Sequence, residues 1–171
     1  EDAPAPVAVA PPTPAPPAPA PPPEAVRAPA RDPWQQAGPL DDILVSVRER
    51  LDNGDRPSQR ALRSLAAYAN NHPTDPLPRL LLARAFAAQG WLKNAIPELE
   101  QAFALDPSVR GDPQALLMLI RMMDSASYHV PAATLIRTHY GVEARPALRA
   151  AIASGRRPAS IERLVALEAN L

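Results

Sequence analysis

His72, His129 and His139, with the carboxylates of Asp41, Asp42, Glu98, Glu100 and Asp112, are the side chains of this sequence best suited to proton transfer or metal ligation. Either chemistry needs several such groups converging on one point, which on a helix means spacings of three or four. No histidine has a second histidine or a carboxylate at metal-ligand spacing on a helical face, so all three are read as loop or surface residues. Asp41, Asp42 and Asp112 stand just before helical patterns, where a carboxylate satisfies free backbone amides, so capping is their expected role. Glu98 and Glu100 are two apart and fall on different faces. There is no cysteine, which removes thiolate nucleophiles and disulfides without identifying a compartment. Glycine-rich phosphate loops, Gly-x-Ser-x-Gly elbows and kinase signatures are also missing from the sequence. The residues point to no catalytic group, no metal and no cofactor, and any catalysis is expected to reside elsewhere in a parent protein.

Composition divides the 171 residues in two. Residues 1–39 carry 14 of the 24 prolines, in runs such as APAPVAVAPPTPAPPAPAPPPE. Proline fixes φ and removes a backbone donor, and so few large apolar residues cannot offset the entropy of ordering. This segment is expected to be a disordered Pro/Ala-rich linker, able to span at most about 120 Å in a polyproline conformation. Residues 40–171 are numerous enough for one domain with its own core. Their charge is close to balance, 16 basic against 14 acidic, so neither nucleic acid nor a membrane surface is an expected partner. No apolar run is long enough to cross a bilayer. The chain starts at Glu1 rather than Met, the expected mark of a fragment or processed product.

The apolar residues of 40–171 recur at helical spacing throughout, which predicts an all-α fold. Ile43, Leu44, Val47 and Leu51 make one face before Asn53-Gly54, and Ala61, Leu62, Leu65, Ala66 and Ala69 make another before Pro73. Residues 77 to 89 are apolar almost all round, the pattern of a helix buried on several sides. Leu92, Ala95, Ile96, Leu99, Ala102 and Phe103 form a cleaner stripe. Further helices are predicted near 113–124, 131–140, 146–154 and 158–170, with Gly141 and Gly155 as stops.

A register runs through these helices. Pro73 and Pro107, Ala61 and Ala95, Leu65 and Leu99, and Pro97 and Pro131 are all 34 residues apart. Within 76–109, Leu82-Ala83-x-x-Phe86, Gly90, Ala95-x-x-x-Leu99, Ala102 and Asp106-Pro107 closely resemble the tetratricopeptide repeat, a helix-turn-helix unit of this length. Small residues at Ala83, Ala95 and Ala102 let two antiparallel helices approach, while Phe86 and Leu99 fill the space between them. Arg79 departs from the pattern, standing where the family often has a large apolar residue. Arg48 and Glu49 fall where the preceding unit should pack, so an insertion near 52 to 57 is expected. Pro97 and Pro131 imply a kink or a late start in their helices.

The resemblance implies a short solenoid whose first helices line an inner, concave face. In that register Leu80, Arg84 and Ala87 of one unit and Gln114, Met118 and Arg121 of the next are the groove candidates. Two arginines among apolar neighbours suit a peptide with one acidic group and one apolar anchor. The expected function is a non-catalytic protein-interaction module of a larger bacterial protein, with a structural oligomerisation module as the alternative and an enzyme fragment last. A Pro/Ala linker followed by degenerate repeats is similar to the tails of some bacterial serine/threonine kinases and envelope assembly proteins. That likeness favours the cell envelope over the cytoplasm.

Overall fold

A computed structural model describes residues 32–155 and 157–171, and every regular element among them is helical. In chain order these are α1 (Pro33–Gln36), α2 (Asp42–Asp52), α3 (Gln59–Asn71), α4 (Pro76–Ala88), α5 (Leu92–Leu105), α6 (Pro113–Met122), α7 (His129–Leu135), α8 (Arg145–Ala153) and α9 (Pro158–Ala169). A 3-10 turn, Pro107–Gly111, joins α5 to α6. A π turn, Ile136–Tyr140, continues α7 and leads into a 3-10 turn, Gly141–Ala144.

One local device starts four of these elements. Asp32-Pro33, Asp75-Pro76, Asp106-Pro107 and Asp112-Pro113 each place a carboxylate at the cap and proline at the first helical position. In each case the carboxylate accepts a hydrogen bond from the amide two residues on, at 3.0, 3.0, 2.8 and 2.8 Å. Proline suits the first position because its φ is preset and it has no amide to satisfy. The next amide is then the first free donor, and aspartate reaches it. Asp41 caps by position only, since no backbone amide bonds its side chain and Tyr68 donates its hydroxyl to it instead.

The α4–α5 hairpin is the centre of the molecule. Gly90 takes φ +81° in the turn at 89–91, a conformation that side-chain-bearing residues avoid. The turn folds α5 back on α4, with Ala83, Ala95, Ala102 and Leu99 wholly buried in the contact region. Successive first helices touch, α2 to α4, α4 to α6 and α6 to α8, while α5 touches α7 and α3 touches α4. The fold is therefore a short stack of helical hairpins. Because α4 packs against α2, α3, α5 and α6, it buries residues on all sides, which is what its all-round apolar sequence requires.

Arg79 finds its explanation in this packing. Its guanidinium donates to Glu98 of α5 at 2.9 Å and to Asn70 of α3 at 3.2 Å, tying three helices at a position that an apolar residue could fill only by packing. The connection between α2 and α3, residues 53–58, is longer than the α4–α5 turn, as expected from the insertion near 52 to 57. Pro97 lies inside α5 on an exposed surface. The helix expected over 131–140 is shorter and starts earlier, at His129, because the backbone loosens into the π turn before Gly141 at φ +54°.

The boundary at residue 39 needs correction. Residues 32–39 were expected in the linker, yet they hold α1, and Trp34 is only 7% exposed within the common core. Residues 1–31, where the rest of the linker assignment falls, lie outside the described residues. No described helix is long and apolar enough to cross a membrane.

Candidate functional site

Helices α4 and α6 lie side by side. Between them lies an open groove of about 150 Å³. Its apolar lining comes from Leu51 at the end of α2, Ala87 and Ala88 of α4, Leu92 at the start of α5, and Met118 and Met122 of α6. Arg84, Gln114 and Arg121 supply its polar lining. Ala87 and Arg121 are equivalent positions of successive units, as are Ala88 and Met122, and Arg84 and Met118. Two unbranched methionine side chains give the lining a surface that can repack around different shapes.

The two arginines differ sharply. Arg84 is 7% exposed overall, and its guanidinium bridges two carboxylates, Asp52 at 2.5 Å and Asp112 at 3.3 Å. Asp112 is itself buried, accepting from the Gln114 amide through Oδ1 and from Arg84 and the Trp34 indole, at 3.4 Å, through Oδ2. Arg48 extends the network, pairing with Asp52 at 3.4 Å and lying over the Trp34 ring, 4.7 Å from its centroid. Arg121 is exposed in the last turn of α6, where its charge is favoured by the helix carbonyls. Among the described residues no ion pair involves it.

Five of the six expected groove residues, Arg84, Ala87, Gln114, Met118 and Arg121, line this one cavity. Leu80 does not: it is fully buried in the core, because its side chain points from α4 into the stack. Arg84 lines the groove, but its charge is already spent on Asp52 and Asp112, so it is not the free cation that the resemblance implied. Reversing it to glutamate would place a buried carboxylate beside the buried Asp112 and next to Asp52, and the fold would not tolerate this as it would at an exposed position. Sequence reasoning missed Leu51, Ala88, Leu92 and Met122 as lining residues, and Trp34 altogether. A lone tryptophan between Asp32-Pro33 and Gly38-Pro39, in a stretch otherwise without large side chains, was the available signal for an anchor.

The histidines are held by contacts with near neighbours in the fold. His72 stacks on Tyr68 with ring centroids 4.0 Å apart, and His129 turns Nδ1 toward the Ser125 and Ala126 carbonyls. His139 was expected on a loop or the surface; it is partly buried in the π turn, stacked 4.1 Å from Phe103. No group of three or more histidines and carboxylates among the described residues could hold a metal ion. Tyr140 is buried with its hydroxyl unpartnered, and burial, followed by the nearby Asp112 charge, pushes its pKa well above the usual tyrosine value, with Arg110 acting weakly the other way.

Fold and groove together define a stacked helical-hairpin domain with an open, mainly apolar cleft. Compared with known proteins, the chain matches no family model, no curated protein and no solved structure.

Proposed function

We propose that this chain is a non-catalytic, tetratricopeptide-like interaction module that holds a peptide segment of a protein partner between α4 and α6. One observation carries this reading: the apolar lining formed by Leu51, Ala87, Ala88, Leu92, Met118 and Met122 opens beside an exposed cation, Arg121, that has no ion pair among the described residues. A preformed cleft of mixed lining suits a ligand with one apolar anchor, and the rim cation suits one acidic group beside it. Arg84 contributes shape and rigidity instead of charge.

Selection from a random peptide library on the full chain tests the proposal. Selected peptides should share an apolar residue next to Asp or Glu. Ala87→Arg, which fills the groove, should abolish binding, and Arg121→Glu should weaken it about tenfold, with the loss shrinking as salt screens the rim charge. Arg63→Glu, on the exposed face of α3, should leave binding unchanged. Selected peptides that bind equally well to Ala87→Arg would move the recognition surface elsewhere.

A further inference from the structure

Trp34 is held in an unusual way for a core residue. It belongs to a helix of four residues, too short to be stable alone. The link onward to α2 runs through Gly38 and Pro39, both exposed. Of the other elements, α1 neighbours chiefly the 3-10 turn Pro107–Gly111. Pro33 is buried and Ala37 and Leu40 pack partly against the core, but the polar anchor of the arm is the indole: its N–H points to Asp112 and its face meets Arg48. The hydrogen bond is long at 3.4 Å, and beside the ring a second cavity of about 130 Å³ remains, walled in part by Arg48, Asp52, Arg84 and Asp112. A buried ring with free space beside it forfeits contacts on that side. Arg84 and Gln114 border both this cavity and the α4–α6 groove, so the two are neighbours on one face.

We infer that this place on α2, α4 and the start of α6 is a docking seat for an indole-bearing segment, occupied in cis by the chain's own arm, Asp32–Gly38, which leaves it reversibly. The chemistry of the seat defines what it accepts: a flat aromatic ring for the Arg48 guanidinium and an N–H donor for the Asp112 carboxylate. Phenylalanine supplies only the first of these. Removal of the arm uncovers a face continuous with the groove, so its departure lengthens the surface open to a partner. The inference rests on Trp34 and its contacts, and stands whether or not a peptide enters the groove.

The probe is a fluorescein-labelled synthetic peptide of residues 28–40, APARDPWQQAGPL, added to the full chain carrying Trp34→Ala and followed by anisotropy. A tethered arm with a local concentration near ~1 mM and an intrinsic Kd near ~0.1 mM would occupy its seat about ten to one. The peptide should therefore bind Trp34→Ala saturably and the unsubstituted chain about tenfold more weakly. Binding should be lost when the peptide's own Trp34 is changed to alanine, or when Arg48→Glu is added to the protein. A cooperatively folded Trp34→Ala chain that ignores the peptide would overturn the inference, as would equal binding to the unsubstituted chain. Should Trp34→Ala fail to fold, a protease site placed at the exposed Gly38-Pro39 link allows the intact chain to fold before it is cut. The cleaved arm should then separate from the domain on gel filtration at micromolar concentration and rebind when returned in excess. An arm that stays bound through that step is a fixed part of the core, and reversible docking is refuted.

Discussion

Replacing Arg84 by methionine keeps most of its volume and removes its charge, and the structure sets the size of the effect. The bridge to Asp52 contributes little, because that carboxylate is 41% exposed and an exposed pair is worth at most about 1 kcal/mol. The bridge to Asp112 is different: the two side chains are 6% and 2% exposed. Without Arg84, Asp112 stays buried with the Gln114 amide and the Trp34 indole as donors and no countercharge. Breaking one side of a buried pair costs about 3–5 kcal/mol, and the two remaining donors place this case near about 3. With a urea m-value of about 2 kcal/mol per molar, the midpoint should fall by about 1.5 M at unchanged slope, read by circular dichroism. Asp112→Asn keeps a capping oxygen for α6 and removes the charge that Arg84→Met strands. The double variant should therefore be about 1–2 kcal/mol more stable than the sum of the single losses predicts. An Arg84→Met midpoint equivalent to a loss of under about 0.5 kcal/mol, the range of an ordinary surface change, would refute the buried-pair account. Strict additivity in the double variant would show that Arg84 and Asp112 act separately.

Two further predictions follow from the packing and from Tyr68. Ala83→Leu and Ala95→Leu force α4 and α5 apart and should each cost about 1–3 kcal/mol, a fall in Tm of about 3–10 °C by calorimetry; unchanged Tm in both would remove the close-contact explanation of the hairpin. Tyr68 donates to Asp41, and that bond first, then desolvation and the charges of Asp41 and Asp75, lifts its pKa from the usual 10.0 to about 12. The folded state thus holds this proton more tightly than the unfolded state, so the contribution to stability is complete below about pH 10 and lost as pH climbs through 12. Near-ultraviolet titration of the unsubstituted chain against Tyr68→Phe should isolate this step, and Asp41→Asn should bring it back toward 10; a step near 10 before that substitution would mean the bond does not form in solution.

Helices, turns and the middle hairpin were legible because each depends on neighbours in sequence: apolar residues at helical spacing, Gly90 in the turn, and small residues at 34-residue spacing. The face of the groove was legible for the same reason, since equivalent positions in successive units come together, and five candidates converged on it. Leu80 failed because a register gives a position along a repeat more securely than a direction around the helix, and α4 has apolar neighbours on nearly every side. The reach of Trp34 to Asp112, 78 residues away, has no periodic signature at all. Proline content argued against order in that stretch, and a single anchoring side chain, worth roughly the burial of one large aromatic, outweighed composition locally.

The contrast between Arg84 and Arg121 shows where a repeat pattern stops informing chemistry. Arg84 and Met118 hold equivalent positions, as do Ala87 and Arg121, so in each pair one unit has a cation where the other has an apolar side chain. Whether a cation is neutralised then depends on residues outside the repeat pattern. Arg84 sits between α2 and α6, and each brings an acid within reach: Asp52 at the last residue of α2 and Asp112 at the cap of α6. Asp112 is there because the chain needs a helix start, whereas Asp52 stands at the end of α2, where the helix carbonyls disfavour a carboxylate and Arg48 and Arg84 offset its charge. Arg121 has no such neighbour on the groove side, where Ala87 and Leu92 offer no acceptor side chain. Two arginines that look alike in sequence are therefore divided by the helix ends around them. One becomes an internal brace that also holds the partner carboxylate of Trp34, and the other is left exposed at the groove, as the charge that the proposed recognition would use.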